Sequence, residues 1–224
     1  MGLDCLQRER AVTCGRDSTT RVWKIIEETQ LLYKGGQVGS MDALTLLSPE
    51  HWLTGGEDGS VAMWHGKKKK PVIVSRNVDG QAQEMCQQMN GLTSSPSSPS
   101  LTGESNSGAS SSGKNRGSKA SIVPFEQWIT AIAACPLTDL AAVGTSSGKL
   151  SFWRAHAARD AENCKLEMVR CVSLQGFVNS IAFSRSGEFV VVGLGQEHRL
   201  GRWSRQPHAR NCLVIIALPK PNEE

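Results

Sequence analysis

Apolar and polar residues alternate along most of the chain in short runs, too short for helices and bounded by turn residues. Ser40-Met-Asp-Ala-Leu-Thr-Leu-Leu, Trp128-Ile-Thr-Ala-Ile-Ala-Ala and Val178-Asn-Ser-Ile-Ala-Phe each read as one strand. A polar turn follows each: Ser48-Pro-Glu-His, Pro136-Leu-Thr-Asp and Arg185-Ser-Gly-Glu. Next come strands that end near Gly: Ala11-Val-Thr-Cys-Gly, Trp52-Leu-Thr-Gly-Gly, Leu140-Ala-Ala-Val-Gly and Phe189-Val-Val-Val-Gly. A last set reads as Gln30-Leu-Leu-Tyr, Pro71-Val-Ile-Val, Met168-Val-Arg-Cys-Val and Leu213-Val-Ile-Ile-Ala-Leu. The pattern predicts antiparallel sheet throughout.

Between the second and last strand of each set stands a repeated phrase that closes on Trp. The four are Gly15-Arg-Asp-Ser-Thr-Thr-Arg-Val-Trp23, Gly56-Glu-Asp-Gly-Ser-Val-Ala-Met-Trp64, Thr145-Ser-Ser-Gly-Lys-Leu-Ser-Phe-Trp153 and Gly195-Gln-Glu-His-Arg-Leu-Gly-Arg-Trp203. Asp17, Asp58, Ser147 and Glu197 each precede their Trp by six residues. Trp23 and Trp64 stand 41 residues apart, and Trp153 and Trp203 stand 50 apart. The gap of 89 between Trp64 and Trp153 falls to 42 without a 47-residue insert, residues 75–121, which holds 13 Ser. The insert has no apolar period and predicts disorder. Four strands per unit at a period near 40 residues is the WD40 pattern. The expected fold is all-β: about four blades of a larger β-propeller ring. The expected domains are blades over 1–74, the disordered insert over 75–121, blades over 122–218 and a tail over 219–224. The first blade lacks most of its inner strand in this reading.

An Asp in the tight turn can accept from nearby amides, and Gly59 or Gly148 after it can take a positive φ. Each Trp is expected to pack between blades with its indole N–H bonded. The Gly-His that usually precedes a first strand is absent, and Gly35-Gly36 stands there. The usual Asp–His–Ser–Trp network is therefore not expected. Four blades alone leave two open edges, which predicts marginal solubility and a chain that is the C-terminal part of a longer protein or a truncated reading of its gene.

The last blade resembles the C-terminal end of the U3 small nucleolar RNA-interacting WD40 proteins. The resemblance rests on Gly176-Phe-Val-Asn-Ser-Ile-Ala-Phe-Ser, on Val192-Gly-Leu-Gly-Gln-Glu-His-Arg-Leu-Gly-Arg-Trp203 and on His208-Ala-Arg-Asn211. The first two phrases also resemble earlier blades of that family, so the likeness covers 1–74 and 122–218. The family's N-terminal region and earlier blades have no counterpart here. The resemblance implies a non-catalytic scaffold of the U3 small nucleolar ribonucleoprotein. Its implied partners are U3 small nucleolar RNA, box C/D ribonucleoprotein proteins and small-subunit processome proteins. The implied setting is nucleolar pre-rRNA processing and ribosome biogenesis. The alternative is a generic WD40 protein-interaction adaptor without RNA binding.

The net charge of +4 is too small by itself to mark a nucleic-acid binder. Its placement is more informative. His198, Arg199, Arg202 and Arg205 fall within eight residues, and Arg can bond phosphate oxygens bidentately. In a strand Arg199 and Arg202 point to opposite faces, and a turn with solvated charges is the competing reading. Arg16 and Arg21 flank the first turn. Lys67, Lys68, Lys69 and Lys70 form a basic run that suits a nuclear signal, a phosphate contact or a solvated loop. Two Ser-Pro steps in Ser94-Ser-Pro-Ser-Ser-Pro-Ser could take phosphate, or serve in a neutral spacer.

Other classes lose support. The seven Cys are odd in number with no two-residue spacing, so reduced intracellular thiols are expected, not a disulfide scaffold. The five His lack metal-ligand spacing, and there is no nucleophile elbow or P-loop. No enzyme activity, cofactor, metal or small-molecule substrate is expected. The longest apolar stretch, Leu213 to Leu218, is strand-sized, and the N-terminus lacks a secretory apolar region, so neither a membrane partner nor export is expected. Trp52 and Trp128 are expected in blade packing.

Overall fold

The computed structural model describes residues 2–6, 10–91 and 127–219. Strands β1 (Gly2–Leu6), β2 (Arg10–Cys14), β3 (Thr19–Lys24) and β4 (Thr29–Lys34) form the first four-stranded sheet in chain order. Strands β5 (Met41–Ser48), β6 (His51–Gly56), β7 (Val61–His65) and β8 (Ile73–Ser75) form the second. Strands β9 (Ile129–Ala134), β10 (Leu140–Thr145), β11 (Lys149–His156) and β12 (Lys165–Ser173) form the third. Each is antiparallel between neighbours, so each is a blade.

The blades pack face to face, and the core lies between them. Val12, Cys14, Val22 and Tyr33 of blade 1 meet Met41, Trp52, Ala62 and Trp64 of blade 2. Leu53, Val61 and Met63 point the other way, onto Ile129, Ile132, Val143 and Trp153 of blade 3. This is the two-residue alternation of a strand, here with both faces covered. Ala142, Leu150 and Phe152 then meet Val178, Ile181, Val190 and Val192 of the fourth sheet. The outward faces of the end blades stay open: Trp23 is 38% exposed, whereas Trp64 and Trp153 are 0% and 1%.

Four features depart from the sequence reading. First, blade 1 has an inner strand, since Gly2 to Leu6 pair with Cys14 to Arg10. The mixed polar run Gly-Leu-Asp-Cys-Leu gave a weak alternation signal, but Asp4 accepts the Leu46 amide of blade 2 at 3.1 Å. Second, helix α1 (Val78–Gly91) forms within residues whose composition assigns them to the insert. Val78 and Ala82 are buried at its foot, so a few apolar contacts anchor a segment that is polar on average. The Ser-Pro steps and residues 92–126 lie outside the described residues.

Third, the last blade is built differently. Strands β13 (Phe177–Phe183) and β14 (Phe189–Gly195) pair, and β17 (Cys212–Ala217) pairs directly with β14. The Leu213 run, expected as a fourth strand, is thus the third. The Trp203 phrase is no blade strand. Its β15 (Glu197–His198) and β16 (Gly201–Arg205) form a separate two-stranded hairpin. Cysteine pairing also departs from expectation: Cys86 of α1 and Cys171 of β12 are joined, whereas Cys14, Cys135, Cys164 and Cys212 are free.

Candidate functional site

The turns between second and third strands organise one face of the molecule. In blade 1, Asp17 Oδ1 accepts from the Thr19 amide at 3.2 Å and its hydroxyl at 2.7 Å, and Asp17 Oδ2 pairs with Arg21 at 2.6 Å. These bonds, the Thr19 hydroxyl foremost, hold the Asp17 carboxyl below its ordinary range. In blade 2, Asp58 Oδ1 accepts from the Ser60 amide at 3.1 Å and hydroxyl at 2.6 Å, and Oδ2 accepts from the Val38 amide at 2.9 Å. Gly59 follows at φ 69°, a conformation that suits glycine.

Gln37 stands in for the absent histidine. It accepts from the Thr54 hydroxyl and donates to the Ser60 carbonyl at 2.8 Å, while Trp64 Nε1 donates to Thr54 Oγ1 at 2.8 Å. An amide carries both a donor and an acceptor, so it bridges as a neutral imidazole would. Trp23 and Trp153 donate likewise, to Thr13 Oγ1 at 2.9 Å and Ser151 Oγ at 2.8 Å.

The hairpin of the last blade replaces this turn. Asn179 of β13 holds it by both ends of its amide: Nδ2 donates to the Glu197 carbonyl at 2.8 Å, and Oδ1 accepts from the Arg199 amide at 3.0 Å. Asn211 Oδ1 accepts the Gln196 amide at 2.8 Å. The phrase Gly-Gln-Glu-His therefore bends away from the sheet, and its four candidate side chains separate. His198 is buried, 5.2 Å from the Trp128 ring and 6.0 Å from Phe177, and plugs the space beside blade 3. Burial, then the charge of Arg199, lowers its pKa from the ordinary 6.5. Arg199 reaches back to blade 2, where its Nη2 donates to the Asp42 carbonyl at 2.8 Å. It borders a cavity of about 280 Å³ lined by the inner strands β1, β5, β9 and β13.

Arg202 and Arg205 remain outward. With Asn179, Gln196, Glu197 and Asn211 they line a cleft of about 500 Å³. Arg202 contacts Glu197 at 3.1 Å and is 89% exposed. Arg205 lies 4.0 Å from Glu197 and donates to Gln196 Oε1 at 3.1 Å. Two guanidinium groups on one carboxylate leave a net positive cleft with free N–H forks, suited to phosphate or carboxylate oxygens. Asn179, Gln196 and Asn211 were not singled out from sequence. The one hint is Asn179, a large polar side chain in a strand whose other residues, Ser180 aside, are apolar.

The other candidates lie on the first turn and in the connection after β7. Arg16 is exposed on the first turn, at the strand ends shared with the hairpin, because the Gly15 carbonyl accepts from Met41 at the start of β5. Arg21 is engaged by Asp17. Lys67, Lys68, Lys69 and Lys70 follow the end of β7, the opposite end from the Asp58 turn. Tyr33 Oη donates to the Gly66 carbonyl at 2.7 Å, the Lys34 amide bonds the Lys69 carbonyl at 3.1 Å, and Lys67 lies 3.8 Å from Glu50. His65 braces this run, accepting the Lys67 amide on Nδ1 at 3.0 Å and thus facing the Arg159 carbonyl with Nε2–H at 3.1 Å. Glu197 does not take the place of the turn aspartates, and the Trp203 side chain lies outside the described residues. No group of His, Cys, Asp and Glu among the described residues could hold a metal ion, and no described helix is long and apolar enough to cross a membrane.

Four packed antiparallel sheets, two with Asp turns and three with a bonded Trp indole, define a run of WD40 propeller blades, the last one modified. By sequence and structure alike, the chain is a homologue of the U3 snoRNP-associated WD40 proteins. It is 34% identical over 225 residues to the U3 snoRNP-associated protein-like YAOH of Oryza sativa subsp. japonica, covering 99% of this chain and 40% of that protein. It is 39% identical over 191 residues to human U3 small nucleolar RNA-interacting protein 2, covering 85% of this chain and 32% of that protein. The solved structure of U3-55K superposes with a TM-score of 0.70 at 38% identity, over 96% of this chain and 54% of the solved one. The crystal structure of RRP9 WD40 repeats does so with a TM-score of 0.70 at 38% identity, over 97% of this chain and 54% of that one. The chain thus spans well under two thirds of the length of these relatives. None of these names is that of an enzyme. No family model matches.

Proposed function

We propose that the chain serves as a non-catalytic WD40 scaffold of the U3 small nucleolar ribonucleoprotein in nucleolar pre-rRNA processing. The β15–β16 hairpin contacts U3 small nucleolar RNA. The observation that carries this reading is the pair Arg202 and Arg205, exposed on a held cleft in the blade where the family resemblance is most concentrated. Phosphate fits this chemistry because the guanidinium fork bonds two oxygens at once. His198 and Arg199 act behind the contact, holding the hairpin against Trp128 and Asp42. Arg16 extends the basic surface on the same face. The lysine run after β7 offers a further contact. Box C/D and processome proteins would meet the remaining blade surfaces.

The test is purification of the tagged endogenous protein at moderate salt, with sequencing of the co-purified RNA. Enrichment of U3 over other box C/D RNAs is expected. The variant Arg202→Glu/Arg205→Glu should lose that enrichment, and its slope of log K against log salt should shrink by about 1–2. A fold unchanged by circular dichroism keeps the loss local. Recovery of proteins without RNA by the unaltered chain would favour the generic adaptor.

A further inference from the structure

The third turn lacks the carboxylate that organises the first two, because Ser147 stands where Asp17 and Asp58 stand. The fold supplies one from elsewhere. Asp79, the second residue of α1, is 5% exposed and accepts from Thr145 Oγ1 at 2.9 Å and from Ser147 Oγ, 68 residues further along the chain. The first helical amide, Val78 N, bonds the Gly59 carbonyl at 3.1 Å, so the helix start spans the turns of blades 2 and 3.

The other side of the third turn holds the hairpin. Gln206 Nε2 donates to the Ser146 carbonyl at 2.9 Å, and the Gln206 amide bonds the Gln196 carbonyl at 2.8 Å, closing the segment that carries Arg202 and Arg205. Ser146 Oγ accepts the Trp128 amide at 3.1 Å, and the Trp128 ring packs on His198. Helix and hairpin thus bear on one three-residue strut, Thr145 to Ser147.

We propose that α1 completes blade 3 from outside its sequence repeat, and that Asp79 is a positioning residue for the Arg202/Arg205 hairpin, acting through the Ser146 strut. Its functional consequence rests on the RNA reading above; its structural content does not. A buried carboxylate needs its donors, so the helix docks only where the two hydroxyls stand. The hydroxyls fix the turn only while the carboxylate is there. The first part of the insert is therefore part of the binding face.

The test is hydrogen exchange on the full chain, in reductant so that the Cys86–Cys171 bond does not hold the helix. Asp79→Ala should speed amide exchange across residues 196–206 about tenfold or more and leave blade 1 unchanged. Adding Ser147→Asp, which restores a carboxylate within the turn, should return protection to 196–206. If Asp79→Ala fails to fold, Ser147→Asp alone decides: two carboxylates then meet, α1 should lose protection, and the hairpin should keep it. Unchanged exchange at 196–206 in Asp79→Ala, or failure of the second change to rescue it, overturns the proposal. Binding of labelled U3 RNA should weaken several-fold in Asp79→Ala and recover in the double variant. RNA affinity that ignores Arg202→Glu/Arg205→Glu would sink the RNA reading alone, since the exchange result stands apart from it.

Discussion

Blades 2 and 4 carry an acidic residue at the same distance from a Trp and fold that phrase in two ways. In blade 2, Asp58 closes a tight turn onto Ser60, Gly59 supplies the positive φ, and Trp64 enters the core. In blade 4, Glu197 is one methylene longer and is followed by His198. The local Asx-type bond gives way, and the chain loops out as a hairpin held by Asn179 and Asn211. A constant spacing therefore specifies a blade only when the turn residues can make the turn. The modified blade gives up one regular strand position and gains an exposed arginine cleft.

The comparison can be broken most forcefully at Trp64. Its replacement by Ala empties a site with no exposed surface, beside Trp52 at 6.5 Å, and should cost about 3–5 kcal/mol in urea unfolding. Replacing Asp58 with Ala removes three hydrogen bonds of the second turn and should cost about 2–3 kcal/mol. Glu197→Ala, at the matching position of blade 4, should cost under about 1 kcal/mol, because it loses only exposed ion pairs with Arg202 and Arg205. Equal costs for these two would show that the phrase does the same work in both blades.

A smaller effect separates the two blades by pH. Burial, and then Arg199, lowers the pKa of His198, while burial, and then His65, lowers that of His51 in blade 2. The unfolded chain binds protons as the pH falls through the ordinary value of 6.5, and the folded chain binds them only at lower pH. Stability is thus fully present above that value and declines below it, until the folded imidazoles also protonate. The urea midpoint should be lower at about pH 5.5 than at about pH 7.5. His198→Gln should flatten part of that slope and His51→Gln another part. The smallest effect on stability is expected of Arg202→Glu, within about 0.5 kcal/mol, because its side chain is almost fully solvated.

How much of this was legible depended on whether the signal was local. The strand alternation and the Asp-Gly turn of blade 2 are set by neighbours in sequence, so they could be read directly. The third turn was readable as a turn through Gly148, but its missing carboxylate gave no hint that Asp79 would supply one. Helix α1 was hidden because a Ser-rich average masked two apolar anchors, Val78 and Ala82. Gln37 was passed over because one network position was expected to hold only His.

The candidate site divides in the same way. Sequence clustering placed three arginines and a histidine together at 198–205, and that cluster is real along the chain. Only the tertiary structure could sort them, because direction depends on partners far away: Asp42 draws Arg199 inward across 157 residues, and Trp128 covers His198. By itself the sequence set four successive antiparallel sheets, their order and the tight-turn residues of the first three, since these follow from alternation and short-range bonding. The tertiary structure decided which strand closes the last blade, which arginines face solvent and whose carboxylate organises the third turn. Each of those outcomes turns on a buried polar group finding a partner, and its partner lies elsewhere in the chain.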